Sequence, residues 1–182
     1  AGADVVTFSG DKLLGGTQAG LIVGRRDVIE TLRRHPLYRA LRVDKLIYAA
    51  LEATFEAFRR ETVIEEIPVL KMLAMTKAEI KHRTWNFAQN LRGKLGENKD
   101  LKFEVIDGNS VIGGGSAPSV QPETALLALK HDKLSTNRFE QVLRFSKPPV
   151  VTRIIEDKIL IDLRTVSESE EKELLEILAN LN

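Results

Sequence analysis

Ser9-Gly10-Asp11-Lys12-Leu13-Leu14-Gly15-Gly16 is the stretch on which the reading of this chain turns. It follows Val5-Val6-Thr7-Phe8, an apolar run that predicts a short buried strand over residues 4–8, closed by Ser9-Gly10. A glycine-rich turn then leads into Gly20-Leu21-Ile22-Val23-Gly24, a second brief strand bounded by glycines. A lysine just beyond a strand, between glycines that admit close backbone approach, is where a Schiff-base lysine would sit. That chemistry needs an amine that is neutral part of the time, and an ordinary lysine titrates near about 10.4, so the site must lower its pKa by desolvation or a nearby cation. Asp11 is placed to act as a proton carrier or counter-ion. On spacing alone the plainer reading is favoured: a surface lysine leaving a strand end, with glycines used only for turning.

Outward from this motif, Asp27 is expected to cap a helix through Val28, Ile29 and Leu32, stopped by Pro36. Val43, Leu46, Ile47, Ala50, Leu51, Thr54, Phe55 and Phe58 hold the spacing of one buried helical stripe, ending near Arg60. Pro68 reads as a hinge. Thr76-Lys77-Ala78-Glu79 fits a capping box, opening a helix that stops around Gly93–Gly96. Lys102 to Ile106 alternates as a strand, with Asp107-Gly108-Asn109 expected to turn it back into Ser110-Val111-Ile112. Further strands are expected over 124–129, 150–155 and 159–163, the last two joined as a hairpin through Glu156-Asp157-Lys158, and helices over 137–145 and after a second capping box, Ser167-Glu168-Ser169-Glu170. The pattern predicts an α/β part over residues 1–67 and an α+β domain over 68–182, antiparallel strands with helices on one face.

Composition narrows the chemistry. The 182 residues are 43% hydrophobic and 29% charged, enough for a packed core, and 27 Lys and Arg against 26 Asp and Glu leave a net charge of +1. Nucleic-acid binding must therefore come from local patches. With no cysteine, disulfides, thiolate metal sites and cysteine nucleophiles are excluded. His35, His82 and His131 lie far apart without zinc spacing, so no metal is expected. No apolar run approaches the roughly 20 residues that span a bilayer, and a cytoplasmic location without a membrane partner is expected. The chain opens on Ala1-Gly2-Ala3-Asp4 and enters a strand at once, so the sheet partners are expected upstream and the chain reads as a fragment.

Arg39 and Arg42 form the second constellation. Three apart on a helical turn, they face the same way, just ahead of a helix N-terminus whose amides favour an anion. Two guanidinium groups suit a tetrahedral oxyanion, although solvated surface arginines are the commoner case. Gly113-Gly114-Gly115-Ser116 lacks the P-loop lysine and is read as letting strands cross closely. Arg25-Arg26, Arg33-Arg34 and Arg59-Arg60 are basic pairs of the kind that touch RNA phosphates but are more often simply solvated. Trp85 is expected in the core or an interface.

Ser9 to Gly16, followed by Gln18-Ala19-Gly20 and Ile22-Val23-Gly24, resembles the bacterial selenocysteine synthases, the L-seryl-tRNA(Sec) selenium transferases. The resemblance continues in His35-Pro36-Leu37, Arg39-Ala40-Leu41-Arg42, Asp44-Lys45, Ala50 to Thr54, Gly113 to Ser116 and Asp162-Leu163-Arg164-Thr165-Val166. It covers essentially the whole chain in order, and departs at Thr17, where the family usually has proline. It implies a pyridoxal-phosphate enzyme of aminotransferase-like fold (fold type I), in which 1–67 is the remnant of the large cofactor domain and 68–182 the small C-terminal domain. It implies that Lys12 holds the cofactor with Asp11 beside it, that Arg39 and Arg42 bind the phosphate of selenophosphate, and that seryl-tRNA(Sec) is the substrate of a dimer-based homo-oligomer. The fragment by itself is expected to be inactive. Arg164 matches the place where aminotransferases hold a substrate carboxylate. Here that carboxyl is esterified, so a structural salt bridge is the expectation. The competing readings are a non-catalytic assembly or tRNA-docking module, and another pyridoxal-phosphate lyase or desulfurase.

Overall fold

Val5–Ser9 (β1) finds its partner close by in sequence: Gly20–Gly24 (β2) runs antiparallel to it, with Val5 opposite Gly24 and Ser9 opposite Gly20. This corrects the expectation of partners upstream only. The strand is also not buried, since Val6, Phe8, Ile22 and Val23 are all exposed. Two strands alone do not enclose a core. The structure, a computed structural model, describes residues 2–96, 100–113, 116, 117 and 119–181. Its contacts divide the chain into two compact units, the first running to Ala74 and the second beginning at Met75.

In the first unit the helices are Arg26–Arg34 (α1), Pro36–Ala40 (α2), Lys45–Arg59 (α3), Val63–Glu66 (α4) and Pro68–Ala74 (α5). Asp27 is not the cap of α1. Arg25 holds that position, and Asp27 in the first turn takes the Arg25 guanidinium at 2.7 Å. Pro36 separates α1 from α2 by opening the latter, where its missing N–H costs nothing, and His35 Nδ1 accepts the Leu37 N–H at 3.2 Å. Asp44 caps α3, accepting from Leu46 N at 2.8 Å and Ile47 N at 3.0 Å. The predicted stripe on α3 is only partly covered: Leu51 and Ala57 are buried, whereas Phe55 and Phe58 are exposed and Leu46 is 72% exposed. Pro68 likewise begins a helix.

The second unit opens with the Thr76 capping box, in which Thr76 Oγ1 accepts from Glu79 N and the Glu79 carboxylate accepts from Thr76 N. It caps Lys77–Leu95 (α6), which ends at Gly96 with φ of 54°. There follow Leu101–Asn109 (β3), Glu123–His131 (β4), Thr136–Arg144 (α7), Arg153–Ile155 (β5), Lys158–Asp162 (β6), a 3-10 turn over Leu163–Thr165 and Glu171–Ala179 (α8). The sheet is antiparallel throughout in the order β3-β4-β6-β5. Phe87 and Leu91 of α6, Phe139 and Leu143 of α7, and Leu174 and Leu178 of α8 pack with Leu127, Leu129, Ile159 and Ile161 of the sheet in one core. Each such side chain contributes about 1.5–3 kcal/mol of burial.

Several local expectations give way. Asp107-Gly108-Asn109 makes no hairpin, because β3 runs straight through it and pairs Gly108 with Thr124. A Cβ on Gly108 would lie 2.6 Å from Leu126 Cδ1, so the glycine makes room for a cross-strand neighbour. Residues 110–112 are consequently not a strand, and the strand expected over 150–155 shortens to β5. The β5–β6 turn does form, with Glu156 and Asp157 at φ of 49° and 57°, as a tight two-residue hairpin requires. Glu170 takes the Ser167 N–H and hydroxyl, but this box closes a turn just ahead of α8. Trp85 is 55% exposed, which removes the core half of its expectation alone, since Ile80, Thr84, Phe87, Ala88 and Leu91 occupy the buried face of α6. Gly114 and Gly115 of the glycine run lie outside the described residues. Among those described, no helix is long and apolar enough to cross a membrane.

Candidate functional site

The lysine turn is a rigid base carrying an accessible amine. Gly10 N–H donates to Ala19 O and Gly16 N–H to Gly10 O, both at 2.8 Å, while Gly15 N–H donates to Lys12 O at 2.9 Å. These bonds tie the two ends of the excursion between β1 and β2 and close its tip around Lys12. Glycine is needed for contact as much as for turning. A Cβ on Gly10 would stand 2.5 Å from Thr17 O, and one on Gly16 2.9 Å from Thr54 Oγ1 of α3. Gly15 has φ of +74° and would meet Ile67 Cγ2 at 2.3 Å. The turn therefore lies against α3 and the start of α5 with no room for a side chain.

From this base the Lys12 side chain stands out 42% exposed, its Nζ donating to Asp11 Oδ2 at 2.7 Å. The hydrogen bond from Lys12 holds the Asp11 carboxyl below the ordinary carboxylate range, against a smaller opposing effect of desolvation. The amine is open to an aldehyde, but its exposure and its carboxylate partner are the reverse of the desolvation and nearby cation that Schiff-base chemistry asks for.

Arg39 lies in the last turn of α2, and Arg42 follows Leu41, the residue that ends that helix. Both are exposed, and neither has a hydrogen bond or ion pair among the described residues. The expected help from helix amides is withdrawn, because Asp44 already takes the first free N–H groups of α3. Any anion held here rests on the guanidinium groups themselves.

Arg164 is no substrate ligand in this geometry. It is 3% exposed and donates to Met75 O at 2.7 Å, Glu123 O at 2.8 Å and Ser110 Oγ at 2.9 Å. Asp162 accepts from Ser110 Oγ at 2.6 Å, Thr124 Oγ1 at 3.1 Å and Arg164 N at 3.0 Å. The expected structural role is thus filled through a shared serine and two backbone carbonyls. Ser110 and Thr124 were not singled out from sequence; the signal available was Asp162 and Arg164 two apart at a strand end. The basic pairs also separate. Arg25 is bound by Asp4 and Asp27, Arg59 by Glu56, and Arg60 by Glu56 and Glu66. Arg26, Arg33 and Arg34 have no such partner among the described residues.

The class the fold defines is a mixed α/β chain that carries a lysine on a turn packed too closely for side chains at its three glycines. The family model described as SelA: L-seryl-tRNA selenium transferase matches residues 1–167, and the chain belongs to that family. It is 43% identical over 171 residues to an L-seryl-tRNA(Sec) selenium transferase of Geotalea daltonii, covering 93% of this chain and 37% of that protein. Proteins with the same name from Geobacter metallireducens and Clostridium perfringens are 44% and 43% identical over 171 residues, covering 37% and 36% of their lengths. The chain thus spans a little over a third of the curated relatives it matches.

Proposed function

We propose that these residues serve a pyridoxal-phosphate-dependent transferase that converts seryl-tRNA(Sec) to selenocysteinyl-tRNA(Sec) with selenophosphate, and that Lys12 is the covalent anchor of the cofactor. Residues 1–67 then belong to the large domain of an aminotransferase-like (fold type I) enzyme and 68–182 to its small C-terminal domain, within a cytoplasmic homo-oligomer. The observation that carries this reading is the Lys12 amine, exposed on a turn whose three glycines pack too closely for any side chain. Family membership supports it.

Pyridoxal phosphate bound at this amine supplies an electron sink for negative charge at the seryl α-carbon. Asp11, hydrogen-bonded to Nζ and held ionised by that bond, serves as the counter-ion of the nitrogen. Arg39 and Arg42 hold the donor's phosphate by paired N–H groups, which positions selenium and neutralises charge as it is transferred. Reduction of the complete protein with borohydride in the presence of the cofactor, followed by peptide mapping, tests the anchor. Label on Lys12, absent from Lys12→Ala, is expected. Label spread over surface lysines would instead favour a docking module without catalysis.

A further inference from the structure

The charges of the chain are unevenly placed. Residues 25–45 carry seven Lys and Arg and three Asp and Glu, a net +4, so the remaining residues sum to −3. Elsewhere the cations are largely committed: Lys77 and Lys81 to Asp107, Lys94 to Glu176, Lys102 to Asp132, Lys133 to Asp100 and Lys158 to Glu104. On α1 the reverse holds. Arg26, Arg33 and Arg34 are exposed and without a hydrogen bond or ion pair among the described residues, and α1 buries none of its side chains. Arg26 and Arg33, seven apart, lie on one side of the helix. The C-terminal charge of α1 favours Arg33 and Arg34 there, but it does not account for the unpaired Arg26, nor for Tyr38, a half-exposed aromatic ring on the next helix.

We propose that α1 and α2 form a contact surface for an RNA backbone, with Arg26, Arg33 and Arg34 on phosphates and Tyr38 as a stacking platform for an unpaired base. The partner rests on the tRNA reading above; the surface rests on charge and exposure. Free guanidinium groups release counter-ions when they meet phosphates, whereas those already held by carboxylates release few. The same argument removes Arg59-Arg60 from the surface.

The test is binding of the complete protein to a short RNA hairpin with a single-stranded tail, measured by fluorescence anisotropy across a salt series. Each lost phosphate contact lowers the salt slope by about 0.7–0.9, so Arg33→Ala/Arg34→Ala should lower it by roughly 1.5 and Arg59→Ala/Arg60→Ala should leave it unchanged. Tyr38→Ala should weaken binding to the tailed hairpin about fivefold or more without changing the slope. Equal losses from both arginine pairs, an unchanged slope in the Arg33/Arg34 variant, or equal binding of polyglutamate would overturn the proposal. If Lys12 takes no cofactor while the RNA results stand, the catalytic reading fails and the surface survives. The opposite pair of results removes the surface alone.

Discussion

The Asp11–Lys12 pair fixes a pH response that is open to direct measurement. Asp11 is held below its ordinary range chiefly by the hydrogen bond from Lys12, so folding favours its ionised form. The sign follows: the pairing is complete above the usual carboxylate pKa of about 3.9, and it is lost as pH falls through the depressed value. Carbon-13 NMR of the Asp11 carboxyl should show a midpoint below that of a model peptide, and Lys12→Ala should return it upward. A midpoint unmoved by Lys12→Ala would disprove the coupling. Arg39 and Arg42 make a second residue-level prediction. On the proposed reading, alanine at either in the complete protein should weaken use of the selenium donor by on the order of 30-fold or more, provided donor binding covers these exposed side chains and desolvates the contact. Lysine should restore only part, since an ammonium lacks the planar fork. Cofactor attachment at Lys12 should survive both changes, and unchanged transfer by the double alanine variant at limiting donor would remove the assignment.

At the scale of elements, α3 depends on Asp44 for its start. Asp44→Ala should cost about 0.5–2 kcal/mol and Asp44→Asn much less, because asparagine can still accept from Leu46 N and Ile47 N. Denaturant unfolding checks this, and equal losses for the two variants would point to charge rather than capping. Elements with strong local signals were legible in the sequence: the Thr76 box and α6, the separate runs of β1 and β2 though not their pairing, and the Glu156-Asp157 hairpin. Those misread were decided by distant neighbours. Asp107-Gly108-Asn109 has turn composition, yet Leu126 across the sheet needs the space that Gly108 leaves. Asp27 has cap composition, but Arg25 claims its carboxylate. At the candidate site, Lys12 and its glycines stood out in sequence, whereas Asp44's occupation of the α3 amides did not. That depends on which of several nearby acids reaches the helix end.

Across the whole molecule the two units differ in how much they bury. The second has a main core shared by three helices and strands β3, β4 and β6, with a smaller cluster of Leu126, Ala128 and Leu160, while the first buries Ala19, Leu51, Ala57 and Ile67 and exposes Leu37, Leu41, Leu46, Tyr48 and Phe55. Amide exchange followed by mass spectrometry should therefore be slowest in α6, β4 and β6 and fastest in β1, β2, α1 and α2. The reverse order would contradict the distribution of buried surface. The exposed apolar side chains of the first unit also predict concentration-dependent association, visible by sedimentation.

The buried cluster around Asp162 bears on the fidelity of assembly as well as on stability. Its members come from four separate points of the chain, at Met75, Ser110, Glu123-Thr124 and Asp162-Arg164, and they satisfy one another only when β4 and β6 meet with Leu126 opposite Asp162. Apolar residues run unbroken over 125–129 and 159–161, so a slip of two residues would keep leucine against isoleucine and cost the oily contacts little. The same slip would strand a guanidinium and a carboxylate inside the protein, at a cost of roughly 3–5 kcal/mol. The polar cluster thus works as a proofreading key for the sheet, rejecting alignments that hydrophobic packing alone would accept.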